Sequence, residues 1–476
     1  RRHPPLARTM GKRLLRTIQH RANTGSRKSR LIPRPLLHTQ PPVTPGAFFG
    51  PRLQRDVATW LAELYSANKR RCVAVVHDLA FPIESEGGSV KRSHARQPAR
   101  YGLVLSLLMA VAAPAGAEEP STSPTPPAPA SPRDVLSPAQ WRNVDRSIHR
   151  GLDYLAAHQR EDGSFEAPPT GQPGVTALCV LAFLSRGHLP GEGPHGERIN
   201  RAVDFVLTCQ REDGMFSFIE PEPHHVHDGA SHAGNYNHAI AGLMLGEVYG
   251  MTNPQLRERI KTAIPAGLQF LRRMQEKAKA SPLDHGGWRY IRPRQGIDAD
   301  LSATSWQLMS MRSARNAEFH VPKEWIEEAM AYIRRCFNNN RQTFSYTPHR
   351  SFNLITPGIV GGGIVSLSLG GEHNTEIAQL AGKSVLRYSF ARYNTASFPY
   401  HYGAYYCSQA MYQLGGEYWT KFYPQLSKHL LANQRDDGSW ERENFNNGDY
   451  FGRSYTTSLS VLALTPAYQL LPIYQR

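Results

Sequence analysis

One short phrase occurs three times in this chain: "HQREDGSF" at 158–165, "CQREDGMF" at 209–216 and "NQRDDGSW" at 433–440. Each copy joins Gln, a basic residue, two acids, Gly and an aromatic. An amphipathic run precedes each copy: Ile148, Leu152 and Leu155 before the first, and Ile199, Val203 and Val206 before the second. That spacing predicts a helix, and the charged residues followed by Gly163, Gly214 or Gly438 predict its stop. Glycine there admits the positive φ that ends a helix or makes a turn.

A second, more apolar run follows each copy: "VTALCVLAFLS" (175–185), "NHAIAGLMLGEVYG" (237–250) and "TTSLSVLALTPAY" (456–468). Helices apolar on most faces belong inside. Three degenerate units fill the middle of the chain, marked by Trp288, Phe344 and Phe398 as Phe165, Phe216 and Trp440 mark the others. Six helix pairs of about fifty residues are the period of a helical-repeat protein. An open solenoid needs polar end caps. Here the second helices are too apolar for water, and the last unit is as regular as the first. The pattern predicts an all-α closed toroid of six helical hairpins, a double-layer barrel with second helices inside.

The formal net charge of +16 raises nucleic acid as a partner, but its position argues against one. Residues 1–100 hold 20 Lys+Arg and 5 Asp+Glu, whereas residues 118–476 hold 35 basic and 34 acidic side chains. "KRSHARQPAR" (91–100), the apolar "YGLVLSLLMAVAAP" (101–114) and the small residues "AGA" (115–117) read as a secretory signal peptide spanning 90–117. The run is too short to span a bilayer comfortably. Export of the body and no membrane helix after signal removal are expected. Residues 1–89, rich in Arg, Pro and Ser, read as an unstructured basic extension or an over-extended gene start, with translation beginning at Val90. Residues 118–135 are a Pro-rich linker, and 136–476 form the folded body. Cys179, Cys209, Cys336 and Cys407 lie in apolar contexts and read as small buried residues.

The phrase at a turn between two helices resembles the QW repeat of squalene and oxidosqualene cyclases, whose α/α toroid is shared with protein prenyltransferase β subunits. The resemblance covers 140–470. The stretches 237–252 and 300–314 look like segments of bacterial, exported squalene-cyclase/prenyltransferase-repeat proteins of unassigned activity. The resemblance implies an isoprenoid or other apolar substrate and acid catalysis. Asp298-Ala-Asp300 is similar to the cyclases' D-x-D-D acid motif, with Leu301 in place of the last Asp. A helix N-cap is the competing role for either Asp. The prenyltransferase zinc triad is absent as that family writes it: Cys407 lacks its Asp partner, Tyr405 standing there, and the sixth unit offers no His.

His238, placed at the start of an inner helix, is expected at the barrel mouth as an acid/base or ligand group. Trp306, His401, Tyr402, Tyr405 and Tyr406 are expected to line the cavity, where aromatic faces stabilise carbocations. No cofactor is predicted apart from a candidate divalent metal. The cluster His224, His225, His227 and Asp228 has the donor chemistry for a divalent metal without a standard spacing. A non-catalytic toroid that binds lipid, glycan or peptide is an alternative, as is an α/α-barrel polysaccharide hydrolase or lyase.

Overall fold

The computed structural model describes residues 131–221, 228–292, 294–395, 397–445 and 451–475. Residues 1–130, with the signal peptide and most of the linker, lie outside the described residues, as do His224, His225, His227 and the side chain of Asp228.

Twelve helices are described, alternating between two layers. The outer layer holds α1 (Pro138–Ala157), α3 (Gly196–Thr208), α5 (Pro254–Glu276), α7 (Lys323–Arg335), α9 (Glu376–Val385) and α11 (Gly416–Ala432). The inner layer holds α2 (Gly174–Leu184), α4 (Asp228–Val248), α6 (Leu301–Asn316), α8 (Pro357–Leu369), α10 (Tyr400–Leu414) and α12 (Gly452–Leu464). Each inner helix packs on the next, and α12 packs back on α2, so the ring is closed. A two-residue hairpin, β1 (Phe337–Asn338) with β2 (Thr343–Phe344), is the one sheet among the described residues.

The layers follow from composition. Every residue of α2 is buried, as its near-continuous apolar sequence requires. In α1 the buried positions include Trp141, Val144, Ile148, Leu152 and Leu155, one face of a helix that is otherwise polar. Ser137 and Gln140 form a capping box that starts α1. Helix α4 begins at Asp228, well upstream of the expected start at Asn237. No helix among the described residues is long and apolar enough to cross a membrane. Cys179, Cys209, Cys336 and Cys407 are buried and unpaired.

The recurring phrase is the joint of the ring. The amide Nε2 of Gln159 donates to Gly163 O (3.0 Å) within its own turn and to Arg198 O (2.8 Å) on the next outer helix. Gln210 repeats this on Gly214 and Ala263. Gln434 repeats it on Gly438 and Ser147, fastening the last unit to the first. A fourth Gln, Gln275, bonds Gly286 O and Trp325 O in the same way. The sequence hid it because its Gln and Gly stand 11 residues apart, against 4 in the other joints. The four glycines share φ of +82 to +90, and a Cβ on each would meet a carbonyl oxygen of the next outer helix at 2.2–2.3 Å. Both backbone freedom and close approach therefore require glycine.

Candidate functional site

A cavity of about 440 Å³ opens where the N-terminal ends of the inner helices converge. Its wall is largely apolar and aromatic, including Val175, Leu178, Tyr236, Ile240, Trp306, Ile359, Phe451 and Tyr455. Arg289, Tyr290, Tyr346 and Tyr402 supply polar atoms, and no carboxylate lines it among the described residues. A concave apolar site with few convergent polar groups is the usual form of a small-molecule pocket.

Asp300 stands behind this wall, fully buried. It caps α6: Oδ1 accepts from Ala303 N at 2.7 Å. Its Oδ2 accepts from the Tyr346 hydroxyl at 2.8 Å and lies 3.6 Å from Arg289 Nε. Burial pushes its carboxyl up to about 6, opposed by the Ala303 and Tyr346 hydrogen bonds and the Arg289 charge. Of the two roles read from sequence, the structure displays the cap, on a residue whose carboxyl burial raises. Tyr346 Oη is 3.1 Å from Tyr290 Oη, so a chain of hydroxyls runs from the acid to the cavity. Burial, then the Asp300 charge, holds the Tyr346 phenol well above its ordinary value, so it keeps its proton. The Arg289 guanidinium lies among the rings of Tyr290, Tyr346 and Phe352, 4.8–5.9 Å from their centroids.

Asp298 is elsewhere. Its Oδ2 accepts from Ala280 N (2.7 Å) and its own N–H donates to Asp284 (2.9 Å), so it organises the loop beside the joint and does not line the cavity. Trp306 and Tyr402 line the cavity and bond one another, indole Nε1 to hydroxyl at 3.2 Å. Tyr405 and Tyr406 lie deeper and fill the barrel. Tyr405 stacks on Trp306 at 5.6 Å, and its hydroxyl is 2.5 Å from that of Tyr474. Tyr406 donates to the Met309 sulfur. His401 is buried away from the cavity, with Nε2 3.0 Å from the Tyr393 hydroxyl and Nδ1 3.4 Å from Glu443.

His238 does not reach the mouth. It lies mid-helix between the layers, where Nδ1 accepts from Phe216 N at 3.2 Å and the ring packs on Phe216 and Phe270. In three other units a threonine does this work: Thr176 for Phe165, Thr304 for Trp288 and Thr457 for Trp440. Burial pulls the His238 imidazole down to about 4, so it is neutral and suited to accepting. Expecting it at the mouth followed from starting α4 too late. No group of three or more potential metal ligands is found among the described residues.

Sequence reasoning missed Arg289, Tyr290 and Tyr346. The repeat itself marks the two tyrosines: each stands two residues after its marker aromatic, Trp288 or Phe344. Units three and four are adjacent in the ring, so the two equivalent positions meet.

The fold and cavity define an α/α toroid with a pocket at one mouth. No family model and no curated protein matches the sequence. Among solved structures, the GH76A α-1,6-mannanase from Salegentibacter sp. HEL1_6 is similar at 10% identity and a TM-score of 0.50, over 69% of this chain and 99% of that one. The type II terpene cyclase MstE from Scytonema, as an aspartate-to-alanine variant with its product merosterolic acid A, is similar at 14% identity and a TM-score of 0.48, over 71% of this chain and 100% of that one. A protein from Actinoplanes is similar at 15% identity and 0.48, over 68% and 99%. The all-α toroid is common ground; identities this low carry the fold alone.

Proposed function

We propose that the cavity receives an apolar, unsaturated small molecule of isoprenoid type and that Asp300 serves as its general acid. The observation that carries this reading is a carboxyl held up to about 6 behind an apolar wall, linked to that wall by the Tyr346 hydroxyl. Protonated Asp300 gives its proton to Tyr346 Oη as the Tyr346 proton passes to the substrate, directly or through Tyr290. An alkene is a poor base, so the acid must be kept neutral and dry. The cation so formed lies among the faces of Trp306, Tyr236 and Phe451; it ends by losing a proton to water, or by adding water that gives its proton to a second water, and Asp300 regains a proton from solvent through the same hydroxyls. Asp300, the second acid of the D-x-D sequence, and the QW-like joints support the same reading through their resemblance to squalene cyclases; Asp298 takes no part in it.

The test is product analysis after incubation with squalene and with geranylgeraniol. Conversion by the wild type, lost in Asp300→Asn with binding retained, supports the proposal. Equal conversion by Asp300→Asn overturns it. A second reading, a toroid that binds an apolar ligand without reaction, is favoured by one observation: both Asp300 oxygens are already engaged and neither lines the cavity. Saturable binding with no product in any variant selects it.

A further inference from the structure

The segment after β2 has two faces. Tyr346, Phe352 and Leu354 turn to the barrel cavity, whereas Ser345, Thr347, His349 and Asn353 turn to a separate polar cleft of about 520 Å³. The cleft is also bounded by Phe337, the run Asn338–Asn340, Arg335 and Arg350. It lies at the fourth repeat turn, where the phrase has degenerated. Phe337 pairs with Phe344 as Gln159 pairs with Phe165, so an aromatic ring stands in the position of the joint's Gln.

Two features make this cleft a constructed site. The first is a buried carboxylate holding a histidine. Asp284 is fully buried, and its Oδ1 is 2.9 Å from His349 Nε2. Its Oδ2 accepts from Asp298 N at 2.9 Å, which fixes the carboxylate plane. A carboxylate accepts only, so Nε2 donates to it and Nδ1 is the ring atom turned away from Asp284. His349 lines the cleft, and Nδ1 has no partner among the described residues. The second feature is a pre-set amide: Ser345 Oγ donates to Asn353 Oδ1 at 2.7 Å, which aims the Asn353 carbonyl inward and leaves Nδ2 to donate outward.

The lining also has a sign. Arg335 and Arg350 face the cleft with no carboxylate among the lining residues. Arg335 is committed to the carbonyls of Leu283 and His285. Arg350 is exposed and pairs with no described residue, so its charge is available. The Ser345 and Thr347 hydroxyls are spent on Asn353 Oδ1 and Phe352 O, which leaves the Asn353 amide N–H, the His349 ring, one aromatic face and a cationic edge as the complement of a hydroxylated anion.

The geometry points to a second ligand site, separate from the barrel cavity, that binds an acidic sugar: hydroxyls on Asn353 and His349, carboxylate on Arg350, with Asp284 positioning His349. This site stands whether or not the barrel cavity is catalytic. The experiment is calorimetric titration of the whole protein with digalacturonate, its neutral methyl ester and sodium sulfate, with His349 ring signals followed by NMR. Saturable binding of digalacturonate that shifts those signals is expected, about tenfold tighter than the methyl ester, as one charge-assisted contact provides. Arg350→Ala should erase that preference, and Asn353→Ala should weaken both sugars about tenfold. His349→Gln, which keeps the donor to Asp284, guards against misfolding and should weaken binding as His349→Ala does. No saturable binding overturns the proposal, as does binding untouched by these variants, or sulfate competing as well as the sugar acid.

Discussion

Replacing Asp300 separates its two roles by pH. Its carboxyl moves from 3.8 to about 6 on folding, because burial disfavours the charge. The native state therefore holds the proton over a window where the unfolded chain has released it. The native state binds more protons there, so stability falls as pH rises from about 4 to about 6. A rise of this size corresponds to about 3 kcal/mol lost across that window. Asp300→Asn keeps an oxygen for Ala303 N and removes the charge. Its stability relative to wild type should therefore improve by about 3 kcal/mol between about pH 4 and pH 7. Asp300→Ala should show the same slope from a lower start. It loses the cap, about 1 kcal/mol, and strands the buried Tyr346 hydroxyl, a further ~1–3 kcal/mol. Urea unfolding of the three proteins across this range reads both quantities. A wild-type-minus-Asn difference that does not change with pH would refute a neutralised, buried acid.

The joint makes further predictions. Gly438→Ala must accept φ +87 and a Cβ 2.2 Å from Arg150 O; the left-handed backbone alone costs about 1–2 kcal/mol, so thermal unfolding should show a larger loss. Gln434→Leu removes three bonds, two that close the ring, with Ser147 O and Ser147 Oγ, and one to Gly438 O within the turn, and should cost about 3 kcal/mol in the same assay. His238→Thr installs the residue three other units use and should leave product formation unchanged while His238→Ala loses stability, an outcome that an acid/base role would reverse. Tyr346→Phe should retain ligand binding, read by tryptophan fluorescence, and lower turnover about 100-fold or more, the contribution of a positioned proton-transfer group.

The ring was legible because its joints are built from local chemistry that recurs: an amide, a glycine and an aromatic at fixed spacing. Gln275 escaped because an insertion separates it from Gly286, although its hydrogen bonds are those of the other three. Asp300 could be read as cap or acid; its bond from Ala303 N makes it a cap, and the burial that raises its carboxyl is a tertiary property that the sequence does not carry. Asp298, its motif partner, is held by the Ala280 and Asp284 loop, a tertiary contact that a three-residue motif does not encode. His238 lies within its helix and not at its start because the helix begins upstream at Asp228, in a His- and Gly-rich stretch with little apolar periodicity. Tyr405 and Tyr406 belong to the same aromatic cluster and the same side of the helix as Tyr402, but they stand about one turn further from its N-terminus, so only Tyr402 of these three reaches the cavity wall at the mouth.

The central claim is that the mouth cavity holds an apolar isoprenoid within reach of the hydroxyl chain leading to Asp300. A crystal structure of the protein grown with geranylgeraniol tests it most directly. The isoprenoid should lie against Trp306 and Tyr236, with an alkene carbon in contact with the Tyr346 or Tyr290 hydroxyl. An empty cavity at saturating ligand, or a ligand bound with its alkenes turned away from those hydroxyls, would contradict it.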